Sequence, residues 1–127
     1  MPLLVNTKVS KSEIHNLGLF ADQFIPTGTL VWKHDSVLDG WISSNEIQNA
    51  PESFKKHLDY FCCYDIELDS YIVAKDNVNW INHSDNPNLN SPTKYFHIAL
   101  RDINVGEELT LNYRQICDLE VQDIEFH

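Results

Sequence analysis

Two stretches concentrate residue types that can do chemistry: Asn82-His83-Ser84-Asp85-Asn86-Pro87-Asn88 and Gly106-Glu107-Glu108-Leu109-Thr110-Leu111-Asn112-Tyr113. A buried ammonium group needs oxygen acceptors, and an asparagine side chain offers a carbonyl without adding charge. His83 taken alone suggests a catalytic base or a metal ligand. An Asx-rich turn accounts for the Pro87-Asn88 pair but not for a run of this length. Tyr113 closes the second stretch, and an isolated tyrosine is more often a half-buried strand residue than a reactive one. Asn82-His83-Ser84 also satisfies the glycosylation sequon, which matters only in a secreted chain.

The elements that must position these residues are mostly short strands. Apolar or β-branched runs recur at residues 3–5, 19–21, 29–32, 71–74, 95–100 and 109–111. Turn-forming stretches such as Pro26-Thr27-Gly28 and Asn86-Pro87-Asn88 separate them. The spacing predicts one helix starting near Pro51, with Phe54, Leu58 and Phe61 on one side and Lys55, Lys56 and Asp59 on the other. Ser43 and Glu46 have capping-box spacing and open a shorter helical turn that Asn49-Ala50-Pro51 interrupts. The expected architecture is a single mostly-β domain over residues 1–127, with a helical insert at about 43–61 and a C-terminal tail at 114–127.

At 127 residues the chain is long enough for one core. Its 19 acidic and 9 basic residues give a formal net charge of -10, which disfavours direct nucleic acid binding and favours cationic partners. No apolar run approaches the roughly 18 residues of a membrane span, and the N-terminus lacks the pattern of a signal peptide, so an intracellular protein, cytoplasmic or nuclear, is expected. Cys62, Cys63 and Cys117 have no paired metal-binding spacing, so reduced structural thiols and no metal site are expected.

Four stretches, in order, resemble the motifs of SET-domain lysine methyltransferases and together span nearly the whole chain. Residues 11–21, ending Asn16-Leu17-Gly18-Leu19-Phe20-Ala21, resemble the family's G-x-G-L-F-A turn and strand, with Asn16 in place of the first glycine. Asparagine is the residue that best tolerates left-handed backbone after glycine. Asn79-Trp80-Ile81-Asn82-His83-Ser84-Asp85-Asn86-Pro87-Asn88 is similar to R-F-I-N-H-S-C-x-P-N, and residues 98–113 are similar to A-x-R-D-I-x-x-G-E-E-L-T-x-D-Y, with Asn112 in place of aspartate. Gly28-Thr29-Leu30-Val31-Trp32-Lys33-His34-Asp35 stands where many members read G-x-x-V-x-E-Y-x-G-E. Here Lys33 replaces the glutamate and His34 a second active-site tyrosine. Trp32, Tyr60, Tyr64 and Tyr71 are candidates to replace that lost aromatic.

The resemblance implies a fold of several small β-sheets with a pseudoknot-like C-terminal crossing that sets the Asn82 and Tyr113 segments side by side. It also implies S-adenosyl-L-methionine as cofactor. Leu17, Gly18 and Leu19 would cradle its amino-acid end, with Gly18 allowing close approach of backbone to ligand. Asn82 would bond its ammonium, and the backbone around His83 would meet the adenine. Tyr113 would be the catalytic tyrosine and would also contact the cofactor, and the His83 side chain would be mostly structural. The zinc-binding cysteine cluster of many relatives is absent, so the tail would close the site with apolar contacts, Phe126 covering the adenine. The substrate would be a protein, recognised at a basic lysine-containing segment. Methyl transfer to its amine is an in-line displacement, favoured by an apolar channel that promotes deprotonation of a group with an ordinary pKa of about 10.4. A catalytically silent SET-like interaction module is the alternative, motivated by His34, Asn16 and the missing cluster.

Overall fold

The computed structural model describes residues 3–117. Phe126 and the rest of the tail beyond Cys117 lie outside the described residues. In chain order the strands are β1 (Thr7–Lys11), β2 (Leu17–Ala21), β3 (Leu30–Lys33), β4 (Gly40–Ser43), β5 (Cys63–Asp65), β6 (Ser70–Val73), β7 (Asn82–His83), β8 (Leu89–Thr93), β9 (Phe96–Ala99) and β10 (Thr110–Leu111). The helix α1 (Glu52–Phe61) stands between β4 and β5. No helix among the described residues is long and apolar enough to cross a membrane.

These strands make four small sheets, as expected: the antiparallel pair β1-β2, the three-stranded sheets β3-β9-β8 and β4-β6-β5, and the pair β10-β7. The last is parallel, with Thr110 opposite Asn82 and Leu111 opposite His83. A parallel pair cannot be joined by a tight turn, so the chain between the two strands must make an excursion. Here it builds the β8-β9 hairpin before returning. This pair is the expected C-terminal crossing, and it is what sets the Asn82 segment beside the approach to Tyr113.

Several pairings join pieces too short to form strands of their own. Ile25 and Ile103 exchange both backbone hydrogen bonds, the Leu109 N–H donates to the Leu19 carbonyl at 2.8 Å, and the Ala21 N–H to the Glu107 carbonyl at 2.9 Å. The core lies along this seam. Leu19, Ile25, Val31, Leu89, Ile103 and Leu109 are all fully buried.

Helix α1 starts at the predicted proline, with Pro51 as its N-cap, and runs to Phe61. Only Leu58 is buried, because α1 lies on the surface over one contact line and leaves Phe54 40% exposed. The Ser43–Glu46 capping box forms in full: the Ser43 N–H donates to Glu46 Oε1 at 3.0 Å, and the Glu46 N–H to Ser43 Oγ at 3.1 Å. It caps a run of turns instead of a helix, since Pro51 follows too soon for one to propagate.

The expectation of reduced thiols is overturned. Cys63 and Cys117 form a disulfide across 54 residues, with their Cα atoms 4.9 Å apart. The fold brings β5 against the segment after Tyr113, a proximity that cysteine spacing along the chain does not reveal. Cys62 remains a buried thiol, its pKa pushed up to about 11 by that burial.

Candidate active site

The β1-β2 turn supplies the first wall. Asn16 takes φ of 39°, the left-handed conformation anticipated for it. Ser12 organises the turn: its hydroxyl oxygen accepts from the Ile14 N–H at 2.9 Å and donates its proton to Glu108, 2.7 Å from Oε1 and 2.9 Å from Oε2. Gly18 is buried, and a Cβ there would lie 2.3 Å from Glu108 Oε2. A close approach that requires glycine here is that of the Glu108 carboxylate.

Asn82 is buried and reaches into this turn. Its amide nitrogen lies 2.9 Å from Glu108 Oε2 and 3.1 Å from each of Ser12 Oγ, the His15 carbonyl and the Leu17 carbonyl. The amide carbonyl takes part in none of these bonds.

His83 is buried one residue further on, and both of its ring nitrogens have partners inside the protein. The Tyr113 N–H donates to Nδ1 at 3.0 Å, which places the ring proton on Nε2, 3.0 Å from Asp85 Oδ1. The Arg114 guanidinium and then His83 hold the Asp85 carboxyl below its ordinary pKa. His83 thus fixes the backbone that carries Tyr113.

The Tyr113 hydroxyl donates to the Ile81 carbonyl in a short hydrogen bond. Burial raises its pKa well above the ordinary tyrosine value, with the charges of Tyr60 and Glu108 pushing the same way, so it stays a protonated donor. Two cavities share Tyr113 as a lining residue. The larger, about 90 Å³, is lined by Trp32, Tyr60, Ile72, Ile81, His97 and Tyr113 among others. The smaller, about 30 Å³, is lined by His15, Asn16, Leu17, Tyr60, Asn82 and Tyr113 among others. Leu17 is at this second cavity, whereas Gly18, Leu19 and His83 line neither.

His34 lines neither cavity. Its Nε2 lies 3.1 Å from the Gly40 carbonyl, and its ring packs against Trp41 and Tyr95 at 4.6 and 5.5 Å. The position expected of a second active-site aromatic is therefore turned away. Of the four candidates to replace it, Trp32 and Tyr60 line the larger cavity. Tyr71 instead donates to Asp59 at 2.8 Å, and Tyr64 to Asp69 in a short hydrogen bond. A register shift between Leu30 and Trp32 in the β3-β9 ladder accompanies the change.

Trp32 stacks on His97 with ring centroids 4.7 Å apart. Its Nε1 is the one buried side-chain polar atom without a hydrogen-bond partner among the described residues. His97 is held by Ser91 at 2.7 Å, and burial pushes its pKa down to about 4, so it is neutral near pH 7. Sequence reasoning missed His97, Ser12 and Glu108. Ser12 and Glu108 are 96 residues apart, and no local spacing links them. Among the described residues no three His, Cys, Asp or Glu side chains are grouped to hold a metal ion.

The SET-domain family model matches residues 16–114. The chain belongs to the SET-domain family. No curated protein sequence matches it. Solved structures share the fold of this SET domain. One is the Chaetomium thermophilum Polycomb Repressive Complex 2, at 21% identity and TM-score 0.67 over 94% of this chain and 16% of that one. Another is a humanized mutant of that complex bound to an inhibitor, at 23% identity and TM-score 0.66 over 90% of this chain and 15% of that one. A third is the ctPRC2 complex in an autoinhibited conformation bound to S-adenosylmethionine, at 21% identity and TM-score 0.68 over 90% and 16%. The SET domain described above thus spans about one sixth of the chains it resembles.

Proposed function

We propose that this SET-family protein is an S-adenosylmethionine-dependent methyltransferase acting on lysine side chains of a protein substrate. The observation that carries the reading is Tyr113, a protonated hydroxyl shared by two cavities, one ending on Asn82 and the other lined mainly by apolar and aromatic side chains. The residues at the smaller cavity fit the amino end of the cofactor. Several oxygens converge there on the Asn82 amide, whose own carbonyl is uncommitted and suits an ammonium. Leu17 and Asn82 line that cavity, and we propose Gly18, Leu19 and His83 behind it as further cofactor-binding residues, with Phe126 as a cover for the adenine.

When bound, S-adenosylmethionine supplies an electrophilic methyl group on a sulfonium. The protein's part is to align and to exclude water. The larger cavity, with Trp32, Ile72, Ile81 and His97 on its wall, desolvates an incoming lysine ammonium and so favours its neutral, nucleophilic form. Tyr113, fixed by Ile81 through its hydroxyl and by His83 through its backbone, orients the reacting centre between the two cavities. The acidic net charge attracts a basic protein segment and repels nucleic acid.

The displacement of His34 from the larger cavity supports a second reading, a catalytically silent SET-like interaction module. Incubating the protein with methyl-labelled S-adenosylmethionine and a mixed set of basic proteins separates the two. Label in lysine side chains is expected. Cofactor binding without any transfer would establish the silent module instead.

A further inference from the structure

We infer that Glu108 is a positioning residue of the cofactor site, holding the Asn82 amide in the one orientation that leaves its carbonyl for a cationic amino group; this rests on the cofactor reading above. The Asn82 amide nitrogen has two protons and four oxygens within 3.1 Å: Glu108 Oε2, Ser12 Oγ, and the carbonyls of His15 and Leu17. Three of those oxygens carry no proton at all. The fourth, on Ser12, has its single proton directed to Glu108. If the amide were turned over, its carbonyl would face lone pairs on every side, and no donor would meet it.

Beside the His15 and Leu17 carbonyls, Glu108 adds to this one-sidedness in two ways. Its carboxylate accepts from Asn82 directly, and it draws the Ser12 proton away from Asn82. Were Glu108 neutral, the Ser12 hydroxyl would be released to donate to the amide carbonyl, and a neutral amide at position 108 could donate to it as well. A turned-over Asn82 amide would then find donors at Ser12 and at position 108, opposed only by the His15 and Leu17 carbonyls. Glu108 itself lines neither cavity, so it acts through Asn82 and not on the ligand. The carboxylate is seated against the bare Cα of Gly18, where a Cβ would lie 2.3 Å from Oε2 and 2.8 Å from Cδ. The glycine of the turn, the serine before it, the asparagine of β7 and the glutamate ahead of β10 therefore form one device. Its single output is the amide orientation.

The test compares two neutral thioether ligands, S-adenosylhomocysteine, which carries the amino-acid end, and 5′-methylthioadenosine, which shares the nucleoside and lacks that end. Titration calorimetry on Glu108→Gln should show affinity for S-adenosylhomocysteine lowered roughly tenfold or more, as for loss of a charge-assisted hydrogen bond. Affinity for 5′-methylthioadenosine should stay within about twofold of the wild type. Glu108→Ala, which likewise removes the carboxylate and frees the Ser12 proton, should reproduce the same selective loss and serves if Glu108→Gln does not fold. An equal loss on both ligands would make Glu108 merely structural and overturn the inference, as would unchanged affinity for both. If the wild type binds neither ligand, the cofactor reading itself falls and takes this inference with it.

Discussion

At the scale of single residues, Tyr113 and Asn82 each have a structural partner as well as a proposed role. The Tyr113 hydroxyl is bonded to the Ile81 carbonyl, so Tyr113→Phe strands that acceptor and should cost about 1 kcal/mol of stability. The expected loss of turnover is far larger, on the order of 10²-fold, as for removal of an oriented donor. Single-turnover kinetics beside a denaturation curve would separate the two, and an unchanged rate would remove Tyr113 from the mechanism. Asn82→Ala should weaken S-adenosylmethionine binding and also loosen the β1-β2 turn, which loses its bonds at the His15 and Leu17 carbonyls. Unaltered affinity by calorimetry would count against the assignment. His97 gives a pH prediction. Its pKa of about 4 in the folded protein lies below the 6.5 of the free side chain, so the unfolded chain binds the proton more readily between these values. Stability should therefore fall as pH drops from about 6.5 to 4, by roughly 3 kcal/mol in total from this group, and be insensitive to it above 6.5. Urea titrations of wild type and His97→Gln across that window should show the smaller slope in the variant.

At the scale of elements, the unanticipated feature is the bridge from β5 to the segment after Tyr113. Closing a 54-residue loop restricts the unfolded chain by an amount worth about 4 kcal/mol in the chain-entropy model. Cys63→Ser should lower stability by up to that amount. A reducing agent should lower the melting temperature of the wild type and leave that of the variant unchanged. Equal sensitivity to reductant in both proteins would mean that the bridge is not what holds this segment. Both cysteines line the larger cavity, so reduction should also be felt there, as faster hydrogen exchange of the backbone near Ile116. Strand recognition succeeded where an apolar run has a buried partner, as at β2, β3 and β9. It failed for β1, with Lys8, Ser10 and Lys11, and for β8, with Asn90, Ser91 and Pro92. Those strands owe their conformation to antiparallel pairing with β2 and β9 and not to their own side chains.

At the scale of the whole molecule, all four sheets among the described residues have only two or three short strands, and the fold is held by segments far apart in sequence meeting along the Leu19–Ile25–Ile103–Leu109 seam. Asn82-His83-Ser84 and the run ending in Tyr113 were legible beforehand because their residue types and order are too long and too specific for an ordinary turn. The helix start at Pro51, the left-handed Asn16 and the Ser43–Glu46 cap were legible for a different reason, since each depends on contacts within a few residues. What only the tertiary structure decided are the partners. It turned His34 onto Gly40 and brought Trp32 to the cavity, because which side chain faces inward depends on the register of β3 against β9. It joined Cys63 to Cys117 and Ser12 to Glu108, pairs whose separations of 54 and 96 residues leave no periodic trace along the chain. Local chemistry follows from neighbouring residues, whereas the environment of a buried side chain is set by whichever distant segment is packed against it.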